Sequence, residues 1–600
     1  MKKRWIACLC LVVGLWAVPD ICPGGGNRAS AEPTAPRGAT VPWTTYEAED
    51  AVIGGGELLS SRIIFDVANE ASGKKAVKLE SSSDYIQFNH AIKSNGIVVR
   101  YSIPDSPSGG GITGTLKLYV NGVYRQDLTL SSKHSWLYGS GSSHWDPQSN
   151  NPAGHTSQAR FFDETRAFIN GGVNAGDSIK LVPLIDSGMT YVVIDLIDLE
   201  DVAPAATMPP NFISITDYGA IPDDTSDDTA AIESAIAAAK AQNKGVWFPP
   251  GEFRQSRYIT IDNVTIKGAG PWYTTLFGYI PGTTWDGNTG FKLAGSNAKV
   301  YDMTIRGAST QRDNSGHGFH GASNQFVIQN VWIEYTGTGF WIGDATDGGL
   351  IRDCRVRNTY ADGINLNKSI YNVIVENNHT RGTGDDGLAN FAQNQFPSDR
   401  VNKNNTFRFN TVVAPYHGKG IGIYGGENIT VEDNLVYDLV EDSGIAINGE
   451  YDQFDADGII VQRNTLVRTG GNFYGAEFGA IRINNARSNH DNVLLKDLEI
   501  YDSKFAGILI LDTEHTNNAH VTYDHILIDK TGTYGIHIHG WARGSGTFTN
   551  NKIVNAGGTD FVNESDPNAY EYVHDGTNSW DSESHPMDVN VFAVPAKAGK

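Results

Sequence analysis

The chain has 600 residues, 40% hydrophobic and 19% charged, enough apolar material to bury more than one core, so two domains are expected. A formal net charge of −22 argues against nucleic acid or an anionic membrane as partner, and less strongly against a polyanionic substrate. Three of the four cysteines fall before residue 23, which excludes a disulfide framework or a cysteine metal site in the remainder.

Residues 1–31 read as a signal peptide: Lys2, Lys3 and Arg4, an apolar run over 5–18, then the small residues Ala29, Ser30 and Ala31, so the protein is expected to be secreted. A membrane anchor is the alternative, but the run is shorter than the ~20 residues a spanning helix needs. Cys8, Cys10 and Cys22 leave with the signal, and Cys354 reads as an inert core residue. Residues 32–43, rich in Pro and Thr, are expected to be a flexible leader. From 44 to 202, short alternating strands with Gly/Ser turns predict a β-sandwich. A Pro-containing linker follows at 203–212.

The Ala-rich stretch 228–242, with Asp227 or Asp228 near its start, predicts one helix, placed to cap the open apolar end of a solenoid. The solenoid domain is expected over 213–565 and a C-terminal tail over 566–600, which either covers the far end or is loose. Its repeat is a glycine before an apolar residue at Gly339, Gly363, Gly387, Gly420, Gly444, Gly479, Gly507 and Gly535, at intervals of 24, 24, 33, 24, 35, 28 and 28. Period-2 strands precede most of these glycines, such as Val373 with Val375 and Ile429 with Val431. A single repeat of this kind cannot bury its own apolar face, so the coils must stack. Asparagines at turns (Asn377, Asn378, Asn434, Asn464, Asn550) favour a right-handed parallel β-helix, because Asn tolerates left-handed backbone and forms ladders. Leucine-rich repeats are the other architecture of this period, but their leucine spacing is missing. The two longest intervals read as loop insertions that wall a binding site.

Asp362 and Asp386 each precede a Gly-apolar step and lie one 24-residue coil apart, with Asp385 adjacent. Stacked coils put their backbones ~4.8 Å apart, so the two carboxylates share a proton or jointly hold a water. Glycoside hydrolysis needs one carboxylic acid at the leaving oxygen and one carboxylate at the water or the anomeric carbon. The sequence reading gives Asp385 the acid role and has Asp362 and Asp386 activate water, an inverting arrangement. Asp before Gly is also a common turn pair, but two in register beside a third carboxylate make a purely structural role costly.

Two segments, ITDYGAIPDDTSDDTAAIESAI and GVWFPPGEF, resemble the opening of the pectate-lyase-like β-helix superfamily, which implies a carbohydrate substrate. YADGIN, then GDDGLAN, behind an N-terminal sandwich, resembles glycoside hydrolase family 87, the bacterial α-1,3-glucanases (mutanases) and mycodextranases, over nearly the whole mature chain. That resemblance implies that Asp362, Asp385 and Asp386 are catalytic. A similar triad belongs to polygalacturonases and dextranases of the same fold. In the sandwich, YEAED and VVIDLIDLEDV resemble galactose-binding-like carbohydrate-binding modules of families 6 and 35, implying a structural Ca²⁺ on Glu47, Glu49 and Asp195. A solvated acidic edge is the plain alternative. Whether the module binds sugar or only supports the β-helix is left open by these residues.

Around the triad, Lys419 falls in the Asp362–Asp386 column beside His417, Asp442 repeats the position of Asp385, and Trp341, Tyr360, Tyr416 and Tyr424 are candidates to stack on pyranose faces. His317, His320 and Arg381 are possible loop contacts. The expected protein is therefore an all-β, secreted, endo-acting α-1,3-glucanase, working as a monomer without a catalytic cofactor on fungal-wall or streptococcal glucan. Nigeran is a close alternative substrate. A polysaccharide lyase with Lys419 as base, or a non-catalytic glycan binder, are the other classes.

Overall fold

The computed structural model describes residues 37–581 except 65, 136, 141–142, 150–156, 279–288, 311, 313–315 and 474. The expected signal peptide and the end of the tail lie outside the described residues. Among those described, no helix is long and apolar enough to cross a membrane.

The N-terminal unit is a β-sandwich, as expected. A six-stranded antiparallel sheet that includes Ser94–Ser102 and Val192–Glu200 packs on a five-stranded one that includes Thr113–Val120 and Ile179–Pro183. Thr113–Val120 alternates buried and half-exposed residues, as a strand with one solvated face does. Val192–Glu200 is buried along its whole length. Ile194, Ile197 and Leu199 enter the sandwich core, while Asp198 and Glu200 meet the second unit.

That second unit is a right-handed parallel β-helix from Phe212–Ser214 to Tyr570–His574, its strands gathered into a 26-stranded and a 12-stranded parallel sheet. The repeated glycines have a steric reason. A Cβ on Gly363 would lie 2.4 Å from the Gly387 carbonyl oxygen, and one on Gly420 2.4 Å from that of Gly444. Close backbone approach between coils therefore requires glycine at this corner. Apolar side chains from Ile215 to Trp580 form one continuous core inside the coil stack. At one corner Asn378, Asn410, Asn434 and Asn464 are fully buried, each amide donating to the next carbonyl oxygen at 3.0, 3.0 and 2.9 Å. Asn377 and Asn550 take the left-handed conformation.

The helix Thr229–Gln242 closes the N-terminal end, with Ile232, Ala235, Ile236 and Ala239 in the core. Asp227 accepts the Thr229 amide (3.0 Å) at its start. At the other end Trp580 stacks on Phe561, centroids 5.1 Å apart, so the chain beyond 565 covers the core as far as it is described. Residues 37–43 depart from the expected loose leader. Arg37 pairs with Asp433 at 2.9 Å, the Thr40 amide donates to Asn377 at 2.7 Å, and Trp43 is buried beneath Arg355. Polar partners in the β-helix, more than 300 residues away in sequence, hold this segment.

The two units meet through buried charges, several of them under the coils that carry Asp362 and Asp386. Arg381 donates to Glu164 (2.6 Å) and Asp198 (2.7 Å), Arg355 pairs with Glu200 (2.8 Å), and the Lys74 ammonium donates to the Asp438 and Leu439 carbonyls at 2.8 Å. Arg357 and Arg381 are register neighbours, each five residues before an aspartate of the triad, Asp362 or Asp386. The sandwich thus braces the coils that carry the candidate site, and Arg381 belongs to this brace rather than to a loop over the site.

Candidate active site

Asp362 and Asp386 open the neighbouring strands Ile364–Asn367 and Leu388–Phe391, with the Gly363 amide donating to the Asp386 carbonyl at 2.9 Å. With Asp385 they bring one carboxylate oxygen each to within 4.8 Å of one another, and no other such acidic or histidine group converges as closely among the described residues. Small residues make the room: a Cβ on Gly422 would strike Asp386 Oδ2 at 2.3 Å, and one on Gly418 would strike the Asp385–Asp386 peptide at 2.4 Å.

The three carboxylates do not share one environment. Asp386 is buried, accepts from the Tyr424 hydroxyl at 2.6 Å and the Lys419 amide at 2.8 Å, and is nonetheless raised to about 7. Burial is the largest cause, offset in part by the Lys419 charge. Asp362 is also raised, first by burial and then by Asp385 and Asp386, while Asn365 donates to its Oδ2 at 3.2 Å. Asp385 goes the other way. Burial would raise it, but the Arg312 guanidinium, bonded to its Oδ2 and to the Gly384 carbonyl, outweighs that and holds it below the usual carboxylate range. Its Oδ1 accepts the Asp386 amide at 3.0 Å. Asp385 was expected to be the acid; here Arg312 favours its ionised form, whereas burial favours the protonated forms of Asp362 and Asp386.

The remaining expected site residues are mostly a supporting wall. Lys419 does stand in the aspartate column, since Gly387 donates to its carbonyl at 2.9 Å as Gly363 does to Asp386. Its ammonium is buried and pairs with Asp442 at 3.3 Å. Asp442, fully buried, is also held by Arg482 at 3.4 Å, so it does not extend an acidic stripe along an open cleft. His417 is buried against Glu441 (2.8 Å). Tyr360 and Tyr416 pack with Val440 under the site, Tyr360 donating to the His134 carbonyl of the sandwich at 3.1 Å. Tyr424 is buried and acts on Asp386 rather than offering a ring face. Trp341 alone of the four aromatic candidates is partly exposed, beside His317 and His320. Sequence reasoning missed Arg312, which lies in a loop without repeat, and Asn365, whose place on the outward face strand alternation could have given.

The implied Ca²⁺ site has a mixed fit. Glu47 Oε2 and Glu49 Oε2 are buried with no hydrogen-bond donor among the described residues, and burial raises Glu49 to about 7, so a cation or protons must answer them. Asp195 differs, for its oxygens already face Arg100 and the Ser72 amide.

Residues 40–202 match a family model described as α-1,3-glucanase catalytic domain D1, and residues 225–580 match catalytic domain D2. The catalytic unit of a thermostable GH87 α-1,3-glucanase from Streptomyces thermodiastaticus strain HF3-3 is 30% identical, with a TM-score of 0.78 over 90% of this chain and 97% of that one. A GH87 α-1,3-glucanase catalytic domain in complex with nigerose is 25% identical, with a TM-score of 0.80 over 91% and 100%. Further structures of such a domain, with nigerose or tetrasaccharides, carry alanine in place of single aspartates, two of them 23 and 24 residues after the first. Mannuronan C5-epimerase AlgE1 of Azotobacter vinelandii is 29% identical over 222 residues, which is 29% of this chain and only 16% of the epimerase.

Proposed function

The chain belongs to the α-1,3-glucanase catalytic-domain family of glycoside hydrolases, and from that premise we propose that it is a secreted, endo-acting α-1,3-glucanase that hydrolyses α-1,3-glucan with Asp362, Asp385 and Asp386. The observation that carries the site is the convergence of these three carboxylates, at the 23- and 24-residue spacing of the aspartates replaced in the related structures. The polymer of fungal walls or streptococcal glucan is the natural substrate in this reading, with nigeran the alternative.

In this mechanism Asp386, coupled to Asp362, donates its proton to the glycosidic oxygen as the bond to the anomeric carbon breaks. Asp385 accepts a proton from the water that forms the new bond to that carbon, which inverts its configuration. Each part follows from an environment: burial keeps Asp386 protonated up to about pH 7, and Arg312 keeps Asp385 ionised. The 4.8 Å spacing is shorter than the ~6.5–9.5 Å usual for inverting pairs, which favours a second reading in which Asp385 attacks the carbon directly with retention. A lyase is disfavoured because its base would be Lys419, whose ion pair with Asp442 holds it protonated. In the sandwich we propose a structural Ca²⁺ held chiefly by Glu47 and Glu49, with the domain serving as a brace for the site.

The test is reducing-sugar release from insoluble α-1,3-glucan, with nigeran, dextran, polygalacturonate and mannuronan alongside, and proton NMR of the first anomer formed. Release from α-1,3-glucan, lost in Asp386→Asn and recovered with an activated leaving group, is expected. Turnover confined to another polymer would overturn the substrate, and a retained anomer would overturn the water mechanism.

A further inference from the structure

Between the strands Leu435–Tyr437 and Ile445–Asn448 the coil runs without regular structure, and its residues 438–443 are all buried. Irregular backbone usually lies at the surface, where water meets its polar groups. Buried here, its carbonyls need partners from the protein. The sandwich supplies two of them from one side chain. The Lys74 ammonium donates to the carbonyls of Asp438 and Leu439 at 2.8 Å each and to that of Asn69 at 2.6 Å, so its three donors meet three acceptors drawn from both units. Beside it, the Gly73 amide donates to the Asp438 carboxylate at 3.0 Å, which also pairs with Arg468. Gly73 and Lys74 are both left-handed, φ 62° and 59°, a conformation in which a lysine persists where its surroundings hold it. Burial lowers Lys74 to about 7, opposed by Asp438 and reinforced by Arg468, Arg62 and Lys504, so at pH 6 it is predominantly the ammonium.

The three residues after Leu439 each support the site. Val440 packs on Tyr360 and Tyr416, Glu441 is bonded to His417 at 2.8 Å, and Asp442 pairs with the Lys419 ammonium at 3.3 Å. Lys419 in turn donates its main-chain amide to Asp386 Oδ1 at 2.8 Å. The Gly420 amide ties down the far end of the segment, donating to the Ser443 carbonyl at 3.0 Å. From Lys74 to Asp386 the path is therefore a short run of main chain, one ion pair and one hydrogen bond, and every residue on it is buried.

We infer that Lys74 of the sandwich is a positioning residue for Asp386: by pinning the main chain at Asp438 and Leu439 it holds Asp442, and through it Lys419, where the Lys419 amide meets the acid. The N-terminal unit is then part of the catalytic geometry as well as a support for stability. A misplacement of about 1 Å can cost ~100-fold in rate. A leaving group that departs without a proton escapes most of that cost. This inference rests on the proposed role of Asp386 as the acid.

The experiment measures kcat and KM at pH 6 for wild type, Lys74→Met, Lys74→Gln, Asp442→Asn, Asp386→Asn and the double variant of Lys74→Met with Asp442→Asn, scaled to the folded fraction by circular dichroism. The substrates are α-1,3-glucan and an α-1,3-linked gluco-oligosaccharide with a nitrophenyl leaving group. In Lys74→Met, kcat is expected to fall about tenfold on the glucan and about twofold on the nitrophenyl substrate, with KM nearly unchanged. Asp442→Asn should show the same split, and the double variant should lose no more than the worse single variant, because both act on one path. Lys74→Gln keeps two donors and should lose less, and it carries the test if Lys74→Met does not fold. A loss equal on both substrates, or losses that multiply in the double variant, would make Lys74 a support for the fold alone and overturns the inference. If Asp386→Asn is not itself recovered by the nitrophenyl leaving group, the acid assignment has failed, and the inference falls with it.

Discussion

Replacing Arg312 by Gln removes the charge beside Asp385 while keeping a side chain able to donate a hydrogen bond. Two unit charges ~4 Å apart at an effective dielectric of 20 interact by about 4 kcal/mol, and one pKa unit corresponds to about 1.4 kcal/mol, so the pair sets an upper bound near three units. Arg312 and Asp385 are 24% and 28% exposed, and solvent screening lowers the expected effect to about 1–2 units. The sign follows from the role. Asp385 must be ionised to accept the water proton, so activity falls as pH drops through its pKa, and raising that pKa moves the acid limb of kcat/KM upward. The alkaline limb, set by loss of the Asp386 proton, stays near pH 7. The assay is a pH profile of reducing-end release for wild type, Arg312→Gln and Arg312→Lys, with circular dichroism at each pH to separate titration from unfolding. Arg312→Lys keeps the charge and should keep most of the wild-type limb. An acid limb unmoved in Arg312→Gln would refute the assignment of Asp385 as the ionised base.

Tyr424→Phe deletes the 2.6 Å hydrogen bond that favours ionised Asp386, so the alkaline limb should move up by about half a unit to one unit while the acid limb stays, read from the same profiles. Arg381→Ala leaves Glu164 and Asp198 buried without their partner, and thermal unfolding should show a loss of about 3–5 kcal/mol, with activity falling because the brace under both catalytic coils is lost. If Ca²⁺ answers Glu47 and Glu49, chelation should lower the unfolding temperature by the equivalent of about 2–4 kcal/mol of saturating ligand, restored by added Ca²⁺ and absent in Glu49→Gln.

The sequence made the coil visible because each turn repeats the same local demands. Gly363 and Gly420 recur where a neighbouring carbonyl leaves no room for a Cβ, and Asn378 to Asn464 recur where a corner needs its own ladder. The stacking of Asp362 on Asp386 came with the repeat, since position in one coil fixes position in the next. What was hidden lies outside the repeat. Arg312 reaches Asp385 across 73 residues from an irregular loop, and the pairing of Arg381 with Glu164 joins two units 217 residues apart. Neither leaves a periodic trace. The burial of Asp442 and Tyr424 was equally illegible, because it is set by the insertion loops over the coil rather than by the coil itself.

The same division explains how this site works. The repeat by itself would give like carboxylates in like surroundings, sharing protons without assignment to acid or base. Arg312, from outside the repeat, breaks that equivalence on one side, and Tyr424 with Lys419 adjusts it on the other. The β-helix therefore fixes the spacing of the carboxylates, and irregular residues decide which of them holds the proton. Substitutions in the coil should abolish activity through misplacement, whereas substitutions at Arg312 or Tyr424 should shift the pH dependence and leave the fold intact.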